Sequence, residues 1–221
     1  MVRKLDFTVI NKGNFQRRAF VMLHGWKGNK ESFNSIPNIL DIPDTMWFTP
    51  EAPYMVDGDP NKKTWTYEKS PGEWEVKEPR AMLMDFMKRE VLSKFKSRDT
   101  YIMGFSQGAA VCYAMVLSFD LGFGGIFPIG GFLRAYPRQK DNDIIINVSS
   151  SQKDTPILIG HGKDDDVVSA DASRLAYKLL KKQCNNVELH IYNGRHKIGM
   201  EYLKKVKSLV LNQEKLEGIN T

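Results

Sequence analysis

Cysteine is scarce in this chain of 221 residues, where Cys112 and Cys184 are the only two. Neither lies in a C-x-x-C or another metal-ligand spacing, and two cysteines in a chain of this length favour reduced thiols over a disulfide scaffold. No apolar run approaches the roughly 18 residues that a membrane span needs. Residues 1–20 also lack the apolar run and small-residue cleavage site of a signal peptide. The sequence therefore predicts a cytoplasmic protein without stable membrane insertion and without a metal site.

Internal repeats and low-complexity segments are also missing. The hydrophobic fraction of 42% and the charged fraction of 26% are those of an ordinary globular protein. A chain of this length suits one α/β domain, so we expect a single domain over residues 1–221. The formal net charge of +6 fits either a patch for anionic lipid or nucleic acid, or a solvated basic surface. Because the lysines are spread along the chain, we expect the solvated surface and no nucleic-acid partner. The oligomeric state stays open.

Short apolar runs bounded by glycine or proline alternate with amphipathic stretches along the chain. Such runs are typical of strands that are buried on both faces of a parallel sheet. They occupy residues 19–23, 45–49, 101–103, 123–129 and 156–159. Residues 187–192 alternate apolar and polar side chains, which predicts a half-exposed edge strand. The pattern predicts an α/β fold with a mainly parallel central sheet and helices on both faces, followed by a polar tail over residues 212–221.

One segment, residues 54–78, departs from this alternation. It contains glycines and prolines together with Trp65, Tyr67 and Trp74, and we interpret it as a long loop. Its aromatic side chains argue against disorder. Two interpretations stay open: a lid or substrate wall, or a packed surface loop whose tryptophans are anchored in the core.

The strongest motif is the G-x-S-x-G sequence of residues 104–108, which follows the predicted strand 101–103 and opens a helix. This is the context of a nucleophile elbow, in which a sharp turn lifts a serine hydroxyl above the sheet. Glycines on either side let strand and helix approach each other closely. The motif predicts that Ser106 is a nucleophile. The alternative is a tight strand-to-helix turn without chemistry.

A serine hydroxyl needs a base to take its proton. Serine, acid and histidine follow one another in this order in α/β-hydrolases, so the base must come late in the chain. Of the four histidines, only His190 and His196 leave room for an acid between serine and histidine. His190 lies inside a predicted strand, whereas His196 lies in a turn after it. We therefore predict His196 as the base; the alternative is a surface histidine that caps a helix.

The acid is expected in a loop between Ser106 and His196. The cluster of Asp164, Asp165 and Asp166 follows a predicted strand there, and the spacing does not choose among the three. The chosen carboxylate would hold the imidazole tautomer and stabilise the imidazolium. The oxyanion formed in the reaction needs two N–H donors, and the backbone of Gln107 supplies one in this motif. The N–H of Trp26, in the loop after an early strand, is the natural second donor.

At these residues the sequence resembles the phospholipase/carboxylesterase family, which includes the acyl-protein thioesterases. Five blocks occur in the family's order: Leu23-His24-Gly25, Pro50-Glu51-Ala52-Pro53, the motif at 104–108, His161-Gly162-Lys163-Asp164-Asp165 and Gly194-Arg195-His196. The resemblance implies an α/β-hydrolase fold and hydrolysis of a small-molecule ester or an acyl ester through an acyl-enzyme, with no cofactor. It selects Asp165 as the acid, four residues after the histidine of the second His-Gly pair, and it supports Trp26 as the second oxyanion donor.

The chain departs from the family where Trp26 replaces a common leucine, Lys27 a common glycine and Ser169 a common proline. Trp26 is expected to narrow the acyl pocket and to favour short acyl chains. We predict that Trp26 and Trp65 contact the substrate. The leading expectation is a carboxylesterase. The alternatives are acyl-protein thioesterase or lysophospholipase activity, a peptidase, and a non-catalytic ligand-binding homologue.

Overall fold

A computed structural model describes residues 3–133 and 147–217 of the chain. The strands of this part, in chain order, are β1 (Phe7–Lys12), β2 (Arg18–Leu23), β3 (Thr45–Pro50), β4 (Tyr54–Val56), β5 (Asp59–Thr64), β6 (Glu68–Ser70), β7 (Glu73–Trp74), β8 (Thr100–Phe105), β9 (Gly125–Ile129), β10 (Ile157–Gly162) and β11 (Val187–Tyr192). Its α-helices are α1 (Ile36–Leu40), α2 (Lys77–Phe86), α3 (Gln107–Ala114), α4 (Ala170–Leu180) and α5 (Met200–Glu217).

Seven strands form the main sheet in the order β1-β3-β2-β8-β9-β10-β11. All pairs are parallel except β1 with β3. Every residue of β2, β9 and β10 is buried, as expected for strands covered on both faces. The predicted parallel sheet is confirmed, and β11 is its edge strand. β1 was not predicted, because its few apolar residues form no clear pattern and its place depends on pairing with β3.

Helices cover both faces of the sheet, as predicted, and each face has its own apolar core. On one face α2, α3 and α4 pack against the sheet with residues such as Leu83, Cys112 and Leu180. On the other face α1 and α5 contribute Leu40 and Val206, among others. Because all parallel strands point the same way, their carboxyl ends meet at one edge of the sheet, where α/β folds bind ligands.

The segment 54–78 was wrongly predicted as an irregular loop. It contains two β-hairpins, β4-β5 and β6-β7, each closed by a two-residue turn. The first turn is Asp57-Gly58, with φ of 53° and 71°, which suits the type I′ turn that joins twisted strands. The second is Pro71-Gly72, where glycine has φ of 82°, as in a type II turn. Asp-Gly between short strands is a hairpin signal that could have revealed the first.

The C-terminal part is more regular than predicted. Residues 212–217 of the predicted polar tail belong to α5, and residues 218–221 lie outside the described part. Helix α4 begins at Ala170, because the hydroxyl of Ser169 caps it by accepting from the N–H of Asp171. Within residues 3–133 and 147–217, no helix is long and apolar enough to cross a membrane.

Candidate active site

Ser106 occupies a strained turn between β8 and α3. Its φ of 54° and ψ of −113° are unusual for a residue with a side chain. The flanking glycines make the turn possible, since a Cβ on Gly104 would lie 2.3 Å from the carbonyl oxygen of Gly108, and one on Gly108 would lie 1.8 Å from that of Leu23. The motif thus has the geometry that a nucleophile elbow requires, with the hydroxyl of Ser106 at the carboxyl edge of the sheet.

The structure brings together the three residues predicted as nucleophile, base and acid. The Nε2 atom of His196 lies 3.0 Å from Oγ of Ser106, and its Nδ1 atom lies 2.7 Å from Oδ2 of Asp165. A carboxylate accepts only, so Nδ1 carries the proton and Nε2 is free to accept the serine proton. His196 lies in the turn after β11, and its ring centroid is 4.9 Å from that of Phe105.

Asp165 is held in a loop after β10 by backbone donors. Its Oδ1 atom accepts from the N–H groups of Val167, at 2.9 Å, and Val168, at 2.8 Å. Desolvation by burial alone would raise the pKa of Asp165, but the hydrogen bonds from Val168, His196 and Val167 outweigh it and lower the pKa. Asp165 is therefore a carboxylate at neutral pH. Its exposed neighbour Asp166 forms an ion pair with Arg195 instead.

A second histidine, His161, lies next to Asp165. The sequence analysis did not predict a role for it. The Nε2 atom of His161 lies 2.9 Å from the carbonyl oxygen of Val168 and 3.2 Å from Oδ2 of Asp165. Both partners are acceptors, so Nε2 carries a proton. Its Nδ1 atom lies 2.6 Å from Oγ of Ser173, whose hydroxyl donates to it. The available signal was a histidine at the end of a fully buried strand, because such a side chain must find partners.

The two predicted oxyanion donors lie at the same place. Gln107 is the first residue of α3, where a backbone N–H has no partner within the helix. Within the described residues, no hydrogen bond uses the N–H of Gln107 or that of Trp26. The loop that carries Trp26 passes close to the nucleophile, since a Cβ on Gly25 would lie 3.3 Å from Cβ of Ser106. Both N–H groups therefore have no partner among the described residues and lie on segments that adjoin Ser106.

His24 fixes this loop and takes no part in proton transfer with Ser106. The N–H of Ala52 donates to its Nε2 atom at 3.0 Å, so the remaining proton sits on Nδ1 and is donated to the carbonyl oxygen of Gly25 at 2.8 Å. The side chain is fully buried, and this desolvation lowers the pKa of His24 to about 4. A neutral imidazole is thus built into the base of the loop that carries Trp26.

Trp65 does not line the site, so its predicted contact with substrate is wrong. Its side chain is fully buried, and its indole N–H donates to the carbonyl oxygen of His24 at 2.9 Å. The side chain of Gln107 holds the backbone of this segment, because its Oε1 accepts from the N–H of Trp65 and its Nε2 donates to the hydroxyl of Thr64. The anchored-tryptophan interpretation of segment 54–78 thus holds for Trp65, while other residues of the segment line a cleft.

Two clefts meet at Ser106 and His196. The first, here called the large cleft, has a volume of about 820 Å³ and includes Ser106 and Gln107 in its wall. Most of its other lining side chains are apolar, among them Trp26, Met55, Tyr67, Trp74, Phe132 and Val167. Several of these are solvent-exposed at its rim, such as Val167 at 69%. The large cleft therefore offers an apolar surface beside the nucleophile.

The second, here called the small cleft, has a volume of about 470 Å³ and includes His196 in its wall. Trp26 lines both clefts and so forms the ridge between them. Next to it, Nζ of Lys27 lies 4.3 Å from the centroid of the Trp26 ring and 3.3 Å from Oδ2 of Asp57. The predicted position of Trp26 beside the nucleophile agrees with this arrangement.

Comparison with known proteins agrees with the fold. A model of the phospholipase/carboxylesterase family matches residues 5–212. The chain belongs to this family. Over 185 residues, which are 82% of this chain and 71% of the relative, it is 24% identical to acyl-protein thioesterase 1 of Kluyveromyces lactis. Over 174 residues, 78% of this chain and 68% of the relative, it is 29% identical to carboxylesterase SOBER1 of Arabidopsis thaliana.

A solved structure shows the same fold. The crystal structure of esterase PE8 superposes with a TM-score of 0.74 at 23% identity and covers 95% of this chain and 99% of that one. The predicted α/β-hydrolase fold and the family resemblance are therefore confirmed. This member of the phospholipase/carboxylesterase family is an enzyme of the carboxylesterase-type serine hydrolases.

Proposed function

We propose that this enzyme hydrolyses carboxylic esters or thioesters of apolar acyl groups through an acyl-Ser106 intermediate. The observation that carries the proposal is the hydrogen-bonded series from Ser106 through His196 to Asp165, with 3.0 and 2.7 Å between partners, on a strained turn beside two free N–H groups. A serine hydroxyl becomes a useful nucleophile only next to such an oriented base.

The chemistry follows from these positions. Oγ of Ser106 attacks the acyl carbon and gives its proton to Nε2 of His196, while the N–H groups of Trp26 and Gln107 stabilise the oxyanion. His196 then protonates the leaving oxygen or sulfur as its bond to the acyl carbon breaks. Water, deprotonated by the same imidazole, then attacks the acyl carbon; the bond to Oγ of Ser106 breaks, His196 returns the proton to Oγ, and the carboxylic acid is released. The carboxylate of Asp165 stabilises the imidazolium in both halves.

The large cleft is suited to an apolar acyl group. Its volume lies in the upper part of the range of small-molecule sites, roughly 300–1,000 Å³. The expectation of short acyl chains rested on the bulk of Trp26, but Trp26 is a side wall of this cleft and leaves its length open. We therefore propose that medium-length acyl chains fit as well as short ones.

Cys112 and Cys184 are both free and buried, which supports the predicted cytoplasmic setting.

Thioesters are the second candidate substrates, because one similar relative is named an acyl-protein thioesterase and another a carboxylesterase. The acyl half and the serine chemistry are common to both. A parallel assay of a butyryl oxygen ester and a butyryl thioester of similar size would measure the preference.

Replacement of the nucleophile tests the proposal. Ser106→Ala, compared with the matched control Ser208→Ala on the exposed face of α5, should lose at least about a thousandfold in kcat toward p-nitrophenyl butyrate. A fluorophosphonate probe should label the wild type and Ser208→Ala but not Ser106→Ala. A folded Ser106→Ala protein that still turns over the ester at the wild-type rate would overturn the proposal. A wild-type protein that the probe does not label would support the non-catalytic alternative.

A further inference from the structure

The two clefts would hold different parts of a substrate, one on each side of its reacting carbonyl. The large cleft borders the nucleophile Ser106 and the donor Gln107 but not His196, whereas the small cleft borders His196 but not Ser106. In the proposed reaction the leaving oxygen or sulfur takes its proton from Nε2 of His196, so the leaving group must extend to the side of the imidazole. The acyl group then lies in the large cleft and the leaving group in the small one.

The charges of the two clefts differ in the same sense. Among the described residues, the lining of the large cleft contains one acid, Asp57, and no lysine or arginine. Within residues 3–133 and 147–217, the lining of the small cleft contains two lysines, Lys27 and Lys197, and no acid. Lys27 is partly neutralised by Asp57 at 3.3 Å. Lys197 forms no ion pair within the part of the chain that the structure describes, so its charge is available to a ligand.

Hydroxyl donors accompany these lysines. Oγ of Ser32 already accepts from the N–H of Asn29 at 2.9 Å, which leaves its own proton to donate. Ser35 lies beside it, and its side chain caps no helix. Ammonium and hydroxyl donors without a competing carboxylate make a surface that favours an anionic group over a neutral or cationic one.

We propose that the small cleft binds a leaving alcohol or thiol that carries a negative charge, a carboxylate or a phosphate, with Lys197 as its main counter-ion. The inference rests on the proposed function and adds the class of leaving group to it. Lys197 directly follows His196, and both residues line the small cleft. The apolar floor of the cleft, with Phe33 and Ile36, suits the carbon skeleton of the alcohol.

Three esters that share one acyl group and one ring test this. They are 3-(butyryloxy)benzoate and 3-(butyryloxy)phenyl phosphate, both anionic at neutral pH, and the neutral 3-(butyryloxy)benzamide. The measured quantity is the ratio of kcat/KM for each anionic ester to that for the benzamide, which does not depend on the fraction of active enzyme. The wild type should favour an anionic ester, and the ratio should fall as sodium chloride is added. The two anionic arms show whether carboxylate or phosphate is preferred.

Two variants locate the effect. Lys197→Met should lower the anionic-to-neutral ratio by about two- to fivefold, as expected for an exposed ion pair. Lys182→Met removes the same charge from an exposed lysine at the amino edge of the sheet and should leave the ratio as it is. A wild-type ratio at or below one, or an equal ratio in both variants, would overturn the inference while leaving ester hydrolysis intact. If none of the three esters is hydrolysed, the proposed function fails and this inference fails with it.

Discussion

Nε2 of His161 lies 3.2 Å from Oδ2 of Asp165, the oxygen that accepts from His196, and it donates its proton to the carbonyl oxygen of Val168 at 2.9 Å. The ring of His161 is fully buried, and its other nitrogen is held by the hydroxyl of Ser173. A buried imidazole with every polar atom in use has one orientation, so it fixes the position of Val168, whose N–H donates to Oδ1 of Asp165. His161 is therefore a positioning residue that acts through Asp165.

Replacing His161 should slow catalysis by misplacing this carboxylate. In His161→Phe the buried carbonyl of Val168 loses its donor, at a cost of about 1–3 kcal/mol; if the loop shifts in response and displaces Asp165, kcat should fall by about 5- to 100-fold while KM changes little. In His161→Gln the side-chain amide can place an N–H near the former Nε2, and the loss should be smaller. Titration of active sites with a fluorophosphonate distinguishes a positioning role of His161 from a purely structural one. A purely structural role would reduce the number of reactive serines and leave kcat per reactive serine unchanged.

The burial of His24 should make folding stability depend on pH. Its pKa is lowered to about 4 by desolvation, below the ordinary 6.5 of an unfolded histidine. Between these values the unfolded chain binds a proton that the folded chain does not, so stability falls as pH falls from 6.5 toward 4. The difference corresponds to at most about 3 kcal/mol in the free energy of unfolding.

Urea unfolding at pH 4.5, 5.5, 6.5 and 8 measures this contribution. In His24→Gln the side-chain carbonyl can still accept from the N–H of Ala52 but does not titrate. The slope of unfolding free energy against pH should therefore be smaller in the variant than in the wild type over this range. Equal slopes would show that the carboxylates alone account for the loss of stability in acid.

The sheet and the elbow were predictable because their signals are local. The buried run that became β10 and the glycines around Ser106 need no knowledge of the rest of the chain. The choice among three consecutive aspartates was different, since spacing left it open and only the family resemblance selected Asp165. The geometric reason is that the carboxylate of Asp165, and not that of Asp166, turns inward to the backbone N–H groups and His196.

The buried position of Trp65 could not be predicted from the local sequence pattern. It lies among polar residues, so its sequence context suggests an exposed aromatic side chain. Its inward orientation comes from contacts with distant residues, namely the carbonyl of His24 and the side chain of Gln107 on α3. Such contacts follow from the assembled fold, which is why the segment was correctly marked as unusual but Trp65 was expected at the substrate.

Exchange of Trp65 should therefore affect stability and not specificity. Trp65→Phe keeps a buried aromatic ring but removes the N–H that donates to His24, leaving a buried carbonyl without this partner. We expect a loss of about 1–3 kcal/mol in the free energy of unfolding, measured in urea. The dependence of kcat/KM on acyl-chain length should match that of the wild type. A changed dependence would mean that Trp65 does reach the substrate.

Exchange of Trp26 should affect specificity and not stability, because its indole forms the ridge beside the nucleophile and is 59% exposed. Trp26→Leu retains the backbone N–H offered to the oxyanion but removes part of the apolar wall of the large cleft. An acetyl group is too short to use that wall, whereas an octanoyl group can bury methylenes against it. If the exchange leaves roughly 40 Å² of the longer chain uncovered, the loss is about 1 kcal/mol, or about fivefold in kcat/KM. We therefore expect the ratio of kcat/KM for octanoyl to acetyl p-nitrophenyl esters to fall by that amount. Phe15→Ala, which removes a 79% exposed aromatic ring before the amino end of β2, should leave the ratio unchanged. A ratio that rises in Trp26→Leu would show that the indole obstructs long chains, and the enzyme would then be one that prefers short acyl groups, as the bulk of this tryptophan suggested.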